Sequence, residues 1–252
     1  MRYVVSLTTN PGRLPNILPT LLSIKCQEPP PERIIINLPA RYKNTDTYPE
    51  PPAEITAIAH INWIPVDLGP VTKLAPTLDL IPEDQDIYIM TIDDDILYLP
   101  HTTELYVRMT PILSERCVLG LAGFIYNSNR KITPQFGIQA CQVIEGFGSV
   151  LYHRSFFKPS WKAYLEICLK NKDLKMSDDI IISNWLALQK IKRIQVSAPW
   201  VNRVLLYEKG CILDYGNKDD ALHNQAGGNE ERYARALKYL HELNLLDKNE
   251  YR

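Results

Sequence analysis

The chain has 252 residues, enough to bury a substantial core as one large domain or two small ones. Hydrophobic residues make up 45% and charged residues 23%, with a net charge of −1 and a pI near 6.5. So balanced a surface argues against nucleic acid as the main partner, because phosphate binding needs a basic face.

Five cysteines (Cys26, Cys117, Cys141, Cys168 and Cys211) are scattered, odd in number and lack CxxC spacing. That pattern favours reduced thiols over disulfides or a zinc site. No apolar run approaches the ~20 residues that span a bilayer, and the N-terminus lacks a signal-peptide core. A soluble, cytoplasmic protein is therefore expected.

Tyr3–Thr8 reads as a buried first strand, followed by the polar turn Thr8-Thr9-Asn10-Pro11-Gly12-Arg13. Leu14, Ile17, Leu18, Leu21 and Leu22 then fall at helical spacing. Pro15 suits the helix start, while Pro19 bends the helix or shifts its start. Glu28 and the three prolines after it stop that helix, and Arg33–Asn37 is a second strand of the parallel-sheet type. Such a β-α-β opening is typical of nucleotide-binding α/β domains and of many other folds. Residues 39–54 form a Pro- and Tyr-rich loop, and Ile61–Pro65 is a third strand. Asp67-Leu68-Gly69-Pro70 turns the chain into a helix over Val71–Leu80. Lys73 on that helix's first turn opposes the helix dipole; unless simply exposed, it suits an anion better than it suits stability.

Ile87–Ile92 is apolar and β-prone, and it ends abruptly in Asp93-Asp94-Asp95 before the chain turns apolar again. Three adjacent carboxylates repel and are costly to desolvate, so they are poor core material. At a strand end they suit a cation, and the two-residue period lets Asp93 and Asp95 face one ion while Asp94 points elsewhere. A solvated acidic turn is the plainer alternative. A helix from about His101 to Leu113 follows.

In the second half, Val118–Tyr126 holds short β-prone pieces broken by Gly120 and Gly123. Cys141–Ile144 leads into Glu145-Gly146-Phe147-Gly148, where glycines flanking an aromatic suit a loop close to a ligand or a bulged strand pair. Ser160–Lys170 is helical. Ser177 is a good N-cap for a helix beginning Asp178-Asp179, with Ile181, Trp185 and Leu188 on one face. Two aspartates in a first turn are fully explained by the helix dipole, so any functional role for them needs outside support. Ile191–Val196 and Trp200–Leu206 read as late strands, and Asp214–Asn229 as a polar loop carrying His223. A helix from about Glu230 to Leu246 closes the chain, apolar at Tyr233, Leu237 and Leu240.

In this order the features resemble those of GT-A-fold glycosyltransferases, close to the family-2-like enzymes that carry an Asp-x-Asp motif. The resemblance covers about residues 1–225, and its most specific part is the acidic motif with its preceding strand. It implies an α/β fold with a mostly parallel central sheet flanked by helices. It also implies one catalytic domain over residues 1–252: a nucleotide-sugar-binding half (1–100), a sugar and acceptor half (101–229) and a C-terminal helix (230–252).

By this resemblance Thr8, Thr9 and Arg13 would hold the nucleotide with Asn37 and Leu38, and Lys73 would lie near the nucleoside or its diphosphate. Asp93 would contact the ribose or a metal-bound water, and Asp94 would join the cofactor-binding set or serve as an anchor. Asp95, with Asp93 and His223, would bind Mn²⁺ or Mg²⁺. Asp179 would be the base of an inverting reaction, with Asp178 as the alternate. Glu145, Gly146, Phe147 and Gly148 would shape the sugar and acceptor pockets, near Tyr152 and Trp185; the apolar stripe makes core the better place for Trp185. The implied partners are a nucleotide-sugar donor, with uridine the expected base, and a glycan or glycoconjugate acceptor.

A nucleotidyltransferase is the nearer rival. Such enzymes usually open with a Gly-rich basic loop, whereas residues 8–13 hold one glycine and one arginine. A sugar- or nucleotide-binding module without turnover is the third reading, and the Asp178-Asp179 pair speaks weakly against it.

Overall fold

Parallel pairing of four short apolar strands sets the frame of the molecule. The computed structural model describes residues 1–43, 45–113, 116–127, 130–132, 137–197 and 228–251. In chain order the strands are β1 (Tyr3–Leu7), β2 (Ile34–Pro39), β3 (His60–Ile64), β4 (Tyr88–Ile92), β5 (Cys117–Asn127), β6 (Arg130–Ile132), β7 (Gly137–Ala140), β8 (Val143–His153) and β9 (Lys192–Ser197). The helices are α1 (Leu18–Lys25), α2 (Ala53–Thr56), α3 (Ala75–Leu80), α4 (Thr102–Leu113), α5 (Ser160–Cys168), α6 (Lys172–Lys175), α7 (Asp178–Leu188) and α8 (Gly228–Glu242).

The sheet runs β3-β2-β1-β4-β8-β5-β9-β7, with β6 paired to the end of β5. β1 through β4 are mutually parallel and form a Rossmann-like half. β8 then lies antiparallel between β4 and β5, β9 is parallel to β5, and β7 is antiparallel to β9. The expected α/β class holds, but the sheet is mixed rather than mostly parallel: the uninterrupted parallel run is β1 to β4, and the second half combines antiparallel pairs with the parallel pair of β5 and β9. The long strands β5 and β8 pair with each other directly, and an antiparallel pair needs no crossover helix.

Strand alternation sends Val4, Ile35 and Ile89 into one core, with Leu78, Trp161, Ile181 and Trp185. Tyr3, Val5, Ile36 and Met90 point the other way, onto Leu21, Ile55 and Tyr106. Helices therefore cover both faces, which leaves the strand ends as the open edge. β1 has β2 on one side and β4 on the other, so the chain reverses its direction of travel across the sheet there. In open α/β sheets such a switch point leaves a crevice at the carboxyl ends of the strands. The turn after β1 and the aspartates after β4 both sit at that crevice.

Several elements differ from expectation. The helix read over Val71–Leu80 is split into a 3-10 turn (Gly69–Lys73) and α3, so Lys73 ends a turn rather than opening a helix. The first helix likewise begins with a 3-10 turn (Leu14–Asn16), and Pro19 lies in the first turn of α1, where a missing N–H costs nothing. β5 runs through Gly120 and Gly123 with a register shift between Gly120 and Ala122, and Glu145–Gly148 lies within β8. Ser177 is at the N-cap position of α7, but its hydroxyl donates to the Asp173 carbonyl instead. Trp185 is in the core as expected. Trp200–Leu206, Cys211 and His223 lie outside the described residues, and the other four cysteines are free thiols. No described helix is long and apolar enough to cross a membrane.

Candidate active site

Two acidic clusters, 85 positions apart in sequence, meet at the crevice: Asp93-Asp94-Asp95 after β4 and Asp178-Asp179 at the start of α7. Lys73 joins them. Its Nζ lies 3.4 Å from Asp93 Oδ1 and 3.6 Å from Asp178 Oδ2, and it donates to the Gly146 carbonyl at 3.0 Å. Burial works against the ammonium, but Asp93, Asp178 and Asp179 outweigh it and hold Lys73 firmly protonated.

The turn carrying Lys73 is tied to the sheet through a buried polar network. Ser6 donates its hydroxyl proton to the Lys73 carbonyl at 2.5 Å, Asn37 Nδ2 donates to Ser6 and Thr77, and Asn62 donates to Asn37 Oδ1. Such groups inside a sheet need internal partners, and here they find one another.

The β8 segment Glu145–Gly148 bridges the two clusters through its backbone. Gly146 N–H donates to Asp179 Oδ1 at 2.7 Å, and Gly148 N–H donates to Asp93 Oδ2 at 2.8 Å. Tyr98 accepts from the Asp93 N–H at 3.0 Å and donates to the Gly148 carbonyl. A side chain at either glycine would disturb this geometry. A Cβ on Gly146 would lie 2.6 Å from Lys73 Nζ, and Gly148 has φ +76°. Phe147 between them is half-exposed at 47%.

The three adjacent aspartates have different surroundings. Asp94 is buried, accepting from the Thr9 hydroxyl at 2.6 Å and from Arg13 at 2.9 Å, while its carbonyl accepts from Thr20. It is the anchor of the turn. Asp93 and Asp95 stay partly exposed, but Asp94 and Asp95 lie in a turn rather than extended chain and meet the same Arg13, whereas Asp93 faces Lys73. Asp95 shares the Arg13 guanidinium at 3.3 Å. Its carboxyl is nevertheless pushed up to about 7, first by burial and then by Asp93 and Asp94, with Arg13 only partly opposing. Asp178 has an Oδ2 with no hydrogen-bond partner, and its carboxyl is raised to about 6 by burial and by Asp179. Each cluster thus retains one poorly compensated carboxylate.

Of the other residues singled out in the sequence, Thr8 donates to the Asn37 carbonyl and the Thr9 carbonyl accepts from Tyr48. Asn37 and Leu38 are fully buried, and the Asn37 amide is engaged inside the protein. They lie in the protein interior, whereas Arg13, Lys73, Asp93 and Asp95 keep partial exposure. Tyr152 is buried beneath Lys73. Tyr233, legible only as one apolar position of the last helix, donates to Asp179 Oδ2 at 2.5 Å. Tyr98 was equally hidden, because an aromatic after an acidic run carries no local signal of its contacts.

Among the described residues no three His, Cys, Asp or Glu side chains form a ready-made metal cage. Carboxylate oxygens are the donor type that a hard divalent cation takes. Asp93 is engaged by Lys73 and the Gly148 N–H, and Asp95 by Arg13, so a cation bound to these carboxylates would compete with those partners.

A scan against protein-family models finds no match, and neither does a search of curated proteins. Among solved structures, the 4-diphosphocytidyl-2C-methyl-D-erythritol synthase of Anaerococcus prevotii is similar at a TM-score of 0.45 and 13% identity, covering 95% of this chain and 99% of that one. Residues 1–349 of Staphylococcus aureus TarS give a TM-score of 0.49 at 13% identity, covering 82% of this chain and 60% of that one. The Francisella tularensis 2-C-methyl-D-erythritol 4-phosphate cytidylyltransferase gives 0.40 at 13% identity, covering 77% of this chain and 90% of that one. At this level the likenesses assign neither a family nor an activity to the chain.

Proposed function

We propose that this chain is a nucleotide-binding transferase and, more specifically, a metal-dependent inverting glycosyltransferase that uses a nucleoside-diphosphate sugar. The observation that supports it is the meeting of two carboxylate clusters around Lys73 at the switch point of a parallel sheet. That crevice suits a nucleotide, and the two clusters divide the chemistry of the transfer between them.

Asp95 and Asp93 would hold Mn²⁺ or Mg²⁺, with His223 as a further candidate ligand. Bound there, the cation supplies Lewis-acid neutralisation of the leaving diphosphate. Arg13 and Lys73 add fixed positive charge on either side of the aspartate trio. Asp179 takes the proton of the acceptor hydroxyl, whose oxygen attacks C1 of the sugar as the bond from C1 to the diphosphate oxygen breaks, inverting the centre. The diphosphate leaves with the bonding electrons. Asp178 is the alternate base. Phe147, exposed between the two glycines, would line the sugar pocket.

Calorimetry with UDP provides the binding test. Binding is expected with Mn²⁺ or Mg²⁺ and is expected to be lost in Asp95→Asn; equal binding in EDTA would sink the metal assignment. A screen of nucleotide-sugars, read as released nucleoside diphosphate, tests the reaction. Turnover of nucleoside triphosphates with pyrophosphate release would instead identify a nucleotidyltransferase.

A further inference from the structure

Asp179 is gripped at both oxygens by donors from two separate elements. Gly146 N–H of β8 reaches Oδ1 at 2.7 Å, and the Tyr233 hydroxyl of α8 reaches Oδ2 at 2.5 Å. We propose that Tyr233 is a positioning residue that fixes the Asp179 carboxylate for proton transfer from the acceptor. This rests on the reading of Asp179 as the base.

Two donors on opposite oxygens define both the plane and the rotation of a carboxylate. An ionised carboxylate has about four acceptor sites, so a free lone pair remains for the acceptor hydroxyl. The phenol is itself immobile. Tyr233 is buried, and its ring stacks on the buried Phe124 at 5.9 Å with an interplanar angle of 11°. α8 is held in turn by Arg235 on Asp173 at 3.0 Å and by the buried Ala236 and Leu240.

A buried tyrosine usually finds a hydrogen-bond partner for structural reasons alone. Here the partner is a carboxylate within the field of Asp178, Lys73, Glu145 and Tyr152, the charged and titratable groups that share its surroundings. Burial and Asp179 keep the phenol protonated, so it orients the base and exchanges no proton.

Two measurements on the full chain with Mn²⁺ test this. In the first, Tyr233→Phe and Asp179→Asn are assayed with UDP-glucose, UDP-galactose and UDP-N-acetylglucosamine, read as UDP release. Tyr233→Phe, which keeps the stacking ring, is expected to lower kcat about tenfold or more with donor KM little changed. The double variant should be no slower than Asp179→Asn. A native kcat in Tyr233→Phe, beside an inactive Asp179→Asn, would overturn the positioning role and leave the base reading intact. Full turnover in Asp179→Asn would overturn the base reading and this proposal with it. In the second measurement, thermal midpoints of the two variants and their combination are compared without substrate. Non-additive losses support the contact, whereas strictly additive ones overturn it whatever the reaction proves to be.

Discussion

The aspartates after β4 and those opening α7 are the same residue type, set side by side in each case, and the fold treats them differently. In the first cluster the middle residue, Asp94, is sealed by Thr9 and Arg13, and its two neighbours are less buried. In the second, the first residue, Asp178, is buried with an orphan oxygen beside Lys73, while Asp179 is tied to a backbone N–H and a phenol. The first arrangement leaves Asp93 and Asp95 partly exposed beside Lys73 and Arg13. The second holds one carboxylate in a defined orientation over a buried charge pair. Partners, rather than acidity, divide the roles.

Removing the cation of each cluster breaks this comparison most severely. Lys73→Met leaves Asp178 buried without its counter-charge and should cost roughly 3–5 kcal/mol, read as the free energy of urea unfolding. Adding Asp178→Asn should recover part of that loss. Arg13→Met should cost less, roughly 1.5–3 kcal/mol, because Asp94 keeps the Thr9 hydroxyl. Equal losses in the two variants would remove the distinction between the clusters.

Acidity sharpens the same contrast. The Asp95 carboxyl is raised from the usual 3.8 to about 7 and that of Asp178 to about 6, both chiefly by burial. Between the unfolded and folded values, the folded chain binds protons that the unfolded chain has released. The stability contributed is complete below about pH 4 and is lost as pH rises through about 6 and 7. With chelator present, the thermal midpoint should therefore fall between pH 5 and pH 8. Asp95→Asn and Asp178→Asn should each flatten that slope, and an unchanged slope in both would contradict the assignment. The smallest effect is expected at the exposed pair Lys162 and Asp79, 2.8 Å apart, where Lys162→Met should change stability by less than about 1 kcal/mol.

Strands β1 to β4 were legible because β-branched apolar runs stand between proline, glycine and polar breaks, and so was the trio, which interrupts such a run with charge. Residues 145–148 were harder. Two glycines around an aromatic fit a loop as well as an irregular strand, and the stretch is held in β8 by Glu145 pairing with Ala122 and by Ser149 pairing with Ile92. Asn37 and Leu38 were read as possible nucleotide contacts, but Ser6, Thr77 and Asn62 close over the Asn37 amide. None of those contacts is local.

By itself the sequence determined the α/β class, the polar turn after β1 and the position of the acidic residues, because these depend on periodicity and charge along a short stretch of chain. Only the tertiary structure decided that Lys73 stands between Asp93 and Asp178, that Asp94 is an anchor, and that Tyr233 reaches Asp179 from a helix 54 positions away. Desolvation and pairing act through space, and they assign different roles to carboxylates that are chemically alike in the chain.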